Sequence, residues 1–266
     1  MSGGGARPTG RGEPRGDAIR RADRRFDHWI TGQPVATNLL LAVLVAVHVW
    51  TGFAQRGRIP LWVRLLWNRR ESVMLRFGAR DGVKVANGEL WRLLTHGFLH
   101  WSVVHLALNG LALWGLGRVC EAMFGPVRFY WIFLVSVLGG GLLSQTGPPQ
   151  VVSAGASGGV FGLLGALVVF AWRRRRWMPP DLREMFGRKL MPWIVLNLGI
   201  GLFLPFVDNR AHVGGLLAGA LCGLLTADRV TDNNHPRPAA TFTLAVLDVI
   251  ALTGTAIAMA VNVART

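Results

Sequence analysis

The sequence alternates between long apolar runs and short polar or basic connections. Seven runs approach the roughly 20 residues that a helix needs to cross a bilayer. They cover approximately residues 37–54, 101–116, 127–145, 157–172, 190–207, 211–227 and 241–263. Because these runs are continuous and carry few charges, the pattern predicts an all-α polytopic membrane protein.

The composition supports the membrane class. Of the 266 residues, 51% are hydrophobic and only 16% are charged, whereas a soluble domain has about 25% charged residues. The formal net charge is +15, but the basic residues gather in the N-terminal segment and between the apolar runs. No basic stripe is interleaved with stacking aromatic residues, so we do not expect nucleic acid as a partner.

The basic residues also predict an orientation. Residues 1–35 are rich in Gly, Arg and Pro, and we expect a disordered cytoplasmic tail there. The arginines at 173–176 end the fourth run, and the positive-inside rule assigns them to the cytoplasm. The outer ends of the second, fourth and sixth runs then fall near residues 101, 157 and 211. Because the first run follows a long polar segment, we interpret it as a retained span and not as a signal peptide.

The connection between the first two runs is amphipathic. Its apolar and basic residues alternate at roughly helical spacing, with Trp62 and Trp67 on one predicted face and Arg64 and Arg69 on the other. Such a segment can lie flat in the headgroup region of a bilayer. We therefore expect an interfacial helix in the first external loop.

Neither metal nor disulfide chemistry is expected. Cys120 and Cys222 sit in or beside apolar runs and have no CxxC spacing. His96, His100 and His105 suggest a histidine-rich metal site, but seven histidines are too few for the repeated boxes of membrane desaturases. The sequence also lacks the HExxH motif of zinc metalloproteases. The expectation is an activity without a cofactor.

Four polar residues lie near the predicted outer face. Ser157, His212 and the pair His105 and Asn109 belong to three different runs, each close to its outer end. Polar residues inside spans are costly and indicate a functional site by default. A histidine can take the proton of a serine during attack and return it to a leaving group. Ser157 and His212 are therefore a candidate nucleophile and general base.

His105 and Asn109 are candidate oxyanion ligands. Their i, i+4 spacing places them on one helix face. Together with the backbone N–H of Ser157, they could donate hydrogen bonds to the oxyanion of an acyl-transfer intermediate. Asn109 could also hydrogen-bond a neighbouring helix, and the two roles are compatible.

Glycines explain how serine and histidine could meet. Gly155 and Gly158 allow a tight turn around Ser157. Small residues recur along the fourth and sixth runs, at Gly158, Gly162 and Gly165 and at Gly215, Gly219 and Gly223. Such surfaces let two helix backbones approach closely. We expect this approach to bring His212 within hydrogen-bond reach of Ser157.

The candidates also have purely structural interpretations. Ser157 is a favoured N-cap residue, and His212 could cap or snorkel at a helix end. Asp208, four residues before His212, could be the third member of a triad or a cap of the sixth run. We favour the cap for Asp208 and the catalytic interpretation for the other two.

Five motifs in order resemble the rhomboid family of intramembrane serine proteases. They are "ELWR" at 89–92, "HLALN" at 105–109, "GRVCEAMFG" at 117–125, "GASG" at 155–158 and "AHVGG" at 211–215. The resemblance implies a six-helix core over residues 36–230, with an additional C-terminal transmembrane helix at 241–266. It also implies transmembrane protein substrates, a bilayer environment and no metal.

The resemblance assigns roles by position. It implies that Ser157 is the nucleophile, that His212 is the base, and that Gly155 belongs to the nucleophile loop. It implies that His105 and Asn109 line the oxyanion site, and that Phe161 packs on the catalytic histidine. By the same resemblance Trp91 and Arg92 are structural, and the fifth run with the 205–210 loop is the substrate gate and cap.

The resemblance leaves two functional classes to compare. The first is an intramembrane serine endopeptidase in a bacterial plasma membrane, with a cytoplasmic N-terminus. The second is a non-proteolytic relative that binds or escorts transmembrane clients, although such relatives usually lose Ser or His. A transporter is disfavoured because no paired broken helices with charged midplane residues are evident.

Overall fold

The computed structural model describes residues 32–55, 60–67, 69–176, 178, 184, 192, 207–226, 228 and 238–265. These residues are almost entirely helical, with one isolated β-bridge between Arg80 and Ser153. Nearly all of the predicted tail and of the predicted fifth span, with its gate role, lie outside the described residues.

The helices are numbered α1 to α10 along the described chain. They are α1 (Val35–Ala54), α2 (Leu61–Leu66), α3 (Glu71–Phe77), α4 (Gly82–Ala86), α5 (Arg92–Thr95), α6 (Val103–Phe124), α7 (Pro126–Ser144), α8 (Ser157–Arg174), α9 (Asn209–Leu225) and α10 (Pro238–Arg265). A 3₁₀ turn, His96–Phe98, follows α5.

Four of the described helices are long and apolar enough to cross a membrane: α1, α6, α7 and the Ala239–Arg265 part of α10. The main apolar core lies between α1, α6, α7 and α8. The described part of the chain is therefore a helical bundle of the multi-pass membrane class.

Helix α6 ends later than the sequence predicted. The predicted end was near residue 116, before the charges of Arg118 and Glu121, but the helix continues to Phe124. Glu121 does not end it because its carboxylate accepts hydrogen bonds from the N–H groups of Ala36 and Thr37, at 3.0 and 2.9 Å. Within α1 these two N–H groups have no partner, so they are available to stabilise the carboxylate charge of Glu121 at the helix N-terminus.

Helices α8 and α9 touch backbone to backbone. A Cβ atom added to Gly215 would collide with the backbone of Gly158, and one added to Gly219 would collide with the backbone of Gly162. These glycines lie on the small-residue surfaces that the sequence predicted. The closeness of the two backbones is what allows side chains at the start of α8 to contact side chains at the start of α9.

The segment between α1 and α6, predicted to be the first external loop, differs in part from the amphipathic prediction. In and just after the short helix α2, Trp62 and Trp67 are 61% and 65% exposed, as an interfacial segment requires. Arg69, predicted on the polar face, is instead buried and donates to the carbonyl oxygen of His48 at 2.9 Å. Burial lowers the pKa of Arg69 to about 10. The sequence pattern gave no sign of this burial because His48 and Thr51, which lie on α1 and hydrogen-bond the guanidinium, are brought to Arg69 only by folding.

Candidate active site

Ser157 and His212 are in hydrogen-bond contact. Ser157 is the first residue of α8, and His212 lies in the first turn of α9. The His212 Nε2 and Ser157 Oγ atoms are 2.9 Å apart. The chain separation of 55 residues is bridged by the close packing of α8 on α9. The candidate nucleophile and the candidate base therefore meet at one end of the bundle, which we call the Ser157 end.

The imidazole of His212 is held by a stacked aromatic ring. Phe161, one helical turn after Ser157, is parallel to His212, with ring centroids 4.4 Å apart and an interplanar angle of 17°. Phe161 is buried, so the stack is shielded from solvent. This packing restrains the plane of the imidazole and directs Nε2 towards Ser157.

The segment 151–156, which we call the nucleophile segment because it precedes the candidate nucleophile Ser157, is held in place by the loop between α1 and α6. The N–H of Gly155 donates to the carbonyl of His96 at 3.0 Å, and the N–H of Ala156 donates to Nε2 of His100 at 3.4 Å. The sequence suggested a metal site at His96 and His100 only as a disfavoured alternative, and it otherwise predicted that His100 packs near the site. The contacts of both residues make them supports of the backbone before Ser157.

Gly155 is required by both conformation and space. Its φ angle is +148°, a value that residues with a side chain rarely adopt. A Cβ atom at this position would also lie 3.0 Å from the Cε1 and Nε2 atoms of His105. The absence of a side chain lets the ring edge of His105 approach the nucleophile segment.

His105 and Asn109 make different contacts near the candidate site. The ring of His105 is beside Gly155 and packs edge-on against His100, with centroids 5.1 Å apart. Asn109 is buried one turn further along α6, and its Nδ2 donates to the carbonyl of His105 at 3.0 Å. The geometry brings His105 to the site, whereas the Asn109 amide is directed back along its own helix and keeps a second N–H for a ligand.

Asp208 is the N-cap of α9, and its carboxylate hydrogen-bonds groups other than the imidazole of His212. Its carboxylate accepts from the N–H of Ala211 at 3.1 Å and from the hydroxyl of Ser144. Within the described residues, Nδ1 of His212 has no hydrogen-bond partner. Burial opposes the charge of Asp208, but hydrogen bonds from Ser144, Ser153 and Ala211 nevertheless lower its pKa below the usual value. Asp208 thus joins the start of α9 to the neighbouring loops.

Arg80 is a second support that sequence reasoning missed. Its side chain is 1% exposed and donates to Oε1 of Gln145 at 3.0 Å, to the carbonyl of Val151 at 2.9 Å and to the carbonyl of Ser144 at 2.6 Å. These acceptors belong to the end of α7 and to the nucleophile segment. No local pattern distinguishes Arg80 from the exposed Arg70 or the half-buried Arg76 of the same loop.

The chemistry available is that of a serine nucleophile with a histidine base. Within the described part of the chain, no group of three His, Cys, Asp or Glu side chains is arranged to hold a metal ion. His105 provides a ring nitrogen beside the nucleophile, and the backbone N–H of Ser157 opens a helix N-terminus. The fold and the site together define a multi-pass membrane protein with a Ser–His pair between two glycine-lined helices.

Comparison with known proteins identifies the family. Residues 87–229, more than half of the chain, match the family model described as the rhomboid domain. The chain belongs to the rhomboid family.

Three relatives illustrate the similarity. The rhomboid protease GluP of Bacillus subtilis (strain 168) is 42% identical over 148 residues, which are 56% of this chain and 28% of GluP. RHOMBOID-like protein 6, mitochondrial, of Arabidopsis thaliana is 37% identical over 220 residues, covering 77% of this chain and 71% of the relative. RHOMBOID-like protein 4 of Arabidopsis thaliana is 40% identical over 151 residues, covering 56% and 37%.

The matched regions cover only part of two of these relatives. The chain spans only about a quarter of GluP, and well under half of RHOMBOID-like protein 4. Membership of the family, with its proteases and its membrane-embedded helices, follows directly.

Proposed function

We propose that the chain is an intramembrane serine endopeptidase. It hydrolyses peptide bonds in or next to transmembrane segments of membrane proteins by means of a Ser157–His212 dyad. The single observation that supports this most directly is the 2.9 Å contact between His212 Nε2 and Ser157 Oγ. The proposal is also supported by the family of the chain, because a relative in that family is named a rhomboid protease.

The first half of the reaction transfers an acyl group to the enzyme. Ser157 Oγ attacks the scissile carbonyl while Nε2 of His212 accepts the hydroxyl proton. The developing oxyanion receives hydrogen bonds from the backbone N–H of Ser157, from His105 and from the second N–H of Asn109. The imidazolium of His212 then donates its proton to the leaving amine, and the acyl-enzyme remains on Ser157.

The second half releases the acyl group with water. His212 takes a proton from the attacking water and returns it to Ser157 Oγ as the ester bond breaks. Because Nδ1 of His212 has no partner among the described residues, no carboxylate orients the imidazole there. That function falls to Phe161, whose stacking restrains the plane of the ring.

The location of the dyad at one end of the bundle determines what the enzyme can cleave. Water can reach that end, whereas the middle of a bilayer is dry. The scissile carbonyl of a transmembrane substrate must first leave its own helical hydrogen bonds. Gly, Pro or polar residues near the scissile bond make this easier, so we expect them in good substrates.

The test replaces the nucleophile. Ser157→Ala should abolish cleavage of a model transmembrane substrate in detergent or liposomes, and should abolish labelling by a fluorophosphonate probe. Ser136→Ala is the matched control, because this buried hydroxyl donates only within α7, to the carbonyl of Ile132 at 2.6 Å. Ser136→Ala should retain both cleavage of the substrate and labelling by the probe. Cleavage by Ser157→Ala at the wild-type rate would contradict the proposal.

The same experiment addresses the non-proteolytic alternative. A rhomboid relative that only binds or escorts membrane proteins would retain its client in pull-down experiments but would neither cleave it nor react with the probe. The wild-type chain would then resemble Ser157→Ala in every assay. Reaction of Ser157 with the probe, together with cleavage, separates the enzyme from the binder.

A further inference from the structure

The last turn of α10 exchanges two hydrogen bonds with the last turn of α3. Nδ2 of Asn262 donates to the carbonyl of Arg76 at 2.6 Å, and Nη2 of Arg76 donates to the carbonyl of Val263 at 2.6 Å. The last four carbonyls of a helix have no partner inside that helix. Each of these hydrogen bonds satisfies one of them, so α3 and α10 cap each other's C-termini.

An apolar cluster joins the same two helices and reaches the nucleophile segment. Its buried members are Val73, Met74, Phe77, Ala79, Leu99 and Met259. Met259 is the member from α10 and is only 3% exposed. Val152 and Ala154, in the nucleophile segment, pack against the edge of this cluster. One side of the cluster is therefore the C-terminal helix, and another is the backbone that leads into Ser157.

Backbone pairing extends the connection from α3 to the nucleophile. Three residues after α3 ends at Phe77, Arg80 pairs with Ser153 in both directions, N–H to carbonyl, at 2.9 Å each. Ser153 lies four residues before Ser157. A displacement of α3 would therefore move the nucleophile segment through both the cluster and this pair of hydrogen bonds.

We propose that α10 is a positioning element for the nucleophile, acting through α3. Asn262 and Met259 fix α3, and α3 fixes the segment that sets the location of Ser157 Oγ relative to His212. The main packing partners of α10 are α3, α5 and α7, whereas the dyad lies on α8 and α9. Asn262 and Met259 are positioning residues, and this assignment rests on the proposed function of the dyad.

The opposite end of α10 supplies a matched control. There, Nη2 of Arg128 donates to Oγ1 of Thr241 at 2.8 Å. Thr241→Val and Asn262→Leu each remove one hydrogen-bonding group from α10 with little change in volume. Only Asn262→Leu acts at the Ser157 end. If α10 merely adds stability to the bundle, the two variants should behave alike.

The experiment measures local order and reactivity in the full chain. Hydrogen exchange should accelerate about fivefold to tenfold at residues 151–156 in Asn262→Leu, because the loss of one hydrogen bond at α3 loosens the segment. The kcat and the rate of Ser157 labelling should fall about tenfold with KM nearly unchanged, since small misplacements of reacting groups cost rate. Thr241→Val should match wild type in all three.

Met259→Ala provides a second variant, in case Asn262→Leu does not fold. It opens the cluster without removing a hydrogen bond and should give the same local increase in exchange. Wild-type exchange at 151–156 in the Asn262 and Met259 variants would overturn the proposal. An equal increase in Thr241→Val would also overturn it. A wild-type chain that neither cleaves nor reacts would contradict the proposed function instead, and the exchange data would still decide the role of α10.

Discussion

Phe161 lies parallel to the imidazole of His212, at 4.4 Å between ring centroids. Since Nδ1 of His212 has no hydrogen-bond partner among the described residues, the stack restrains a ring that otherwise could rotate. Stacking between two rings contributes about 1 kcal/mol beyond simple burial. The imidazole of His212 is thus oriented by packing, and Asp208 is engaged elsewhere as a cap.

Phe161→Leu should therefore affect kcat more strongly than it affects the free energy of unfolding. We expect kcat to fall about tenfold with a small change in KM, because about 1.4 kcal/mol of lost orientation corresponds to a factor of ten in rate. Phe170→Leu is the control: Phe170 is on the same helix, is equally buried and packs against Phe124. It should lower the melting temperature without a specific loss of Ser157 labelling. Equal losses of labelling in both variants would argue against an orienting role.

Asp208→Asn distinguishes a cap from a triad member. Asparagine caps helices as well as aspartate does, so we expect the variant to retain kcat within a few fold. An acid that orients a catalytic histidine would instead cost about 10⁴-fold on this change. A loss of that size in the cleavage assay, with normal folding, would restore the triad.

The charge of Asp208 also contributes to stability in a defined pH range. Its pKa is lowered in the folded protein from the ordinary 3.8, so the unfolded state binds the proton more tightly. The contribution is present above pH 3.8 and is lost as the pH falls through the folded pKa. In thermal unfolding, the difference between wild type and Asp208→Asn should narrow at acidic pH.

His96 should make the protein less stable in mild acid. Burial lowers the pKa of His96 from 6.5 to about 4, so the imidazole is neutral in the folded state and takes up a proton on unfolding. The free energy of unfolding should fall by about 3 kcal/mol as the pH drops from 6.5 to about 4, and it should depend less on pH above 6.5. His96→Gln should show a shallower dependence in the same range. An identical pH profile for the two proteins would contradict this.

The close contact between α8 and α9 leaves no space for a side chain at Gly215. A Cβ atom there would meet the backbone of Gly158, which cannot rotate away. We expect Gly215→Ala to destabilise the protein by about 1–3 kcal/mol through overpacking and to separate His212 from Ser157. Gly115→Ala on α6 is the control, because nothing lies within 4 Å of its Cβ position. That change should be neutral or stabilising, measured by thermal unfolding and probe labelling together.

Local patterns were sufficient for the approximate bounds of most of the long helices. The apolar run at 127–145 became α7, Pro126–Ser144, and the run at 157–172 became the start and most of α8. The predicted end of the second run was wrong because a charge usually ends an apolar run. Glu121 stays inside α6 because backbone N–H groups at the start of α1 hydrogen-bond its carboxylate. A local pattern does not predict this contact, because α1 is remote in sequence.

The candidate site also contains residues that the sequence identified and residues that it did not. Ser157, His212, His105 and Asn109 were identifiable because each is a polar residue near the end of an apolar run. Arg80 and His100 were not recognised as supports, since they lie in a mixed loop where polar residues are ordinary. Their importance comes from acceptors and donors that only folding brings to them.

The sequence by itself determined the class of molecule, the approximate helices and which side chains could do chemistry, because hydropathy, glycine spacing and residue type are local properties. The tertiary structure decided that the hydroxyl of Ser157 and the imidazole of His212 meet at 2.9 Å, and that α10 caps α3. Such distances depend on how helices far apart in the chain pack against each other. No short window of sequence contains that information.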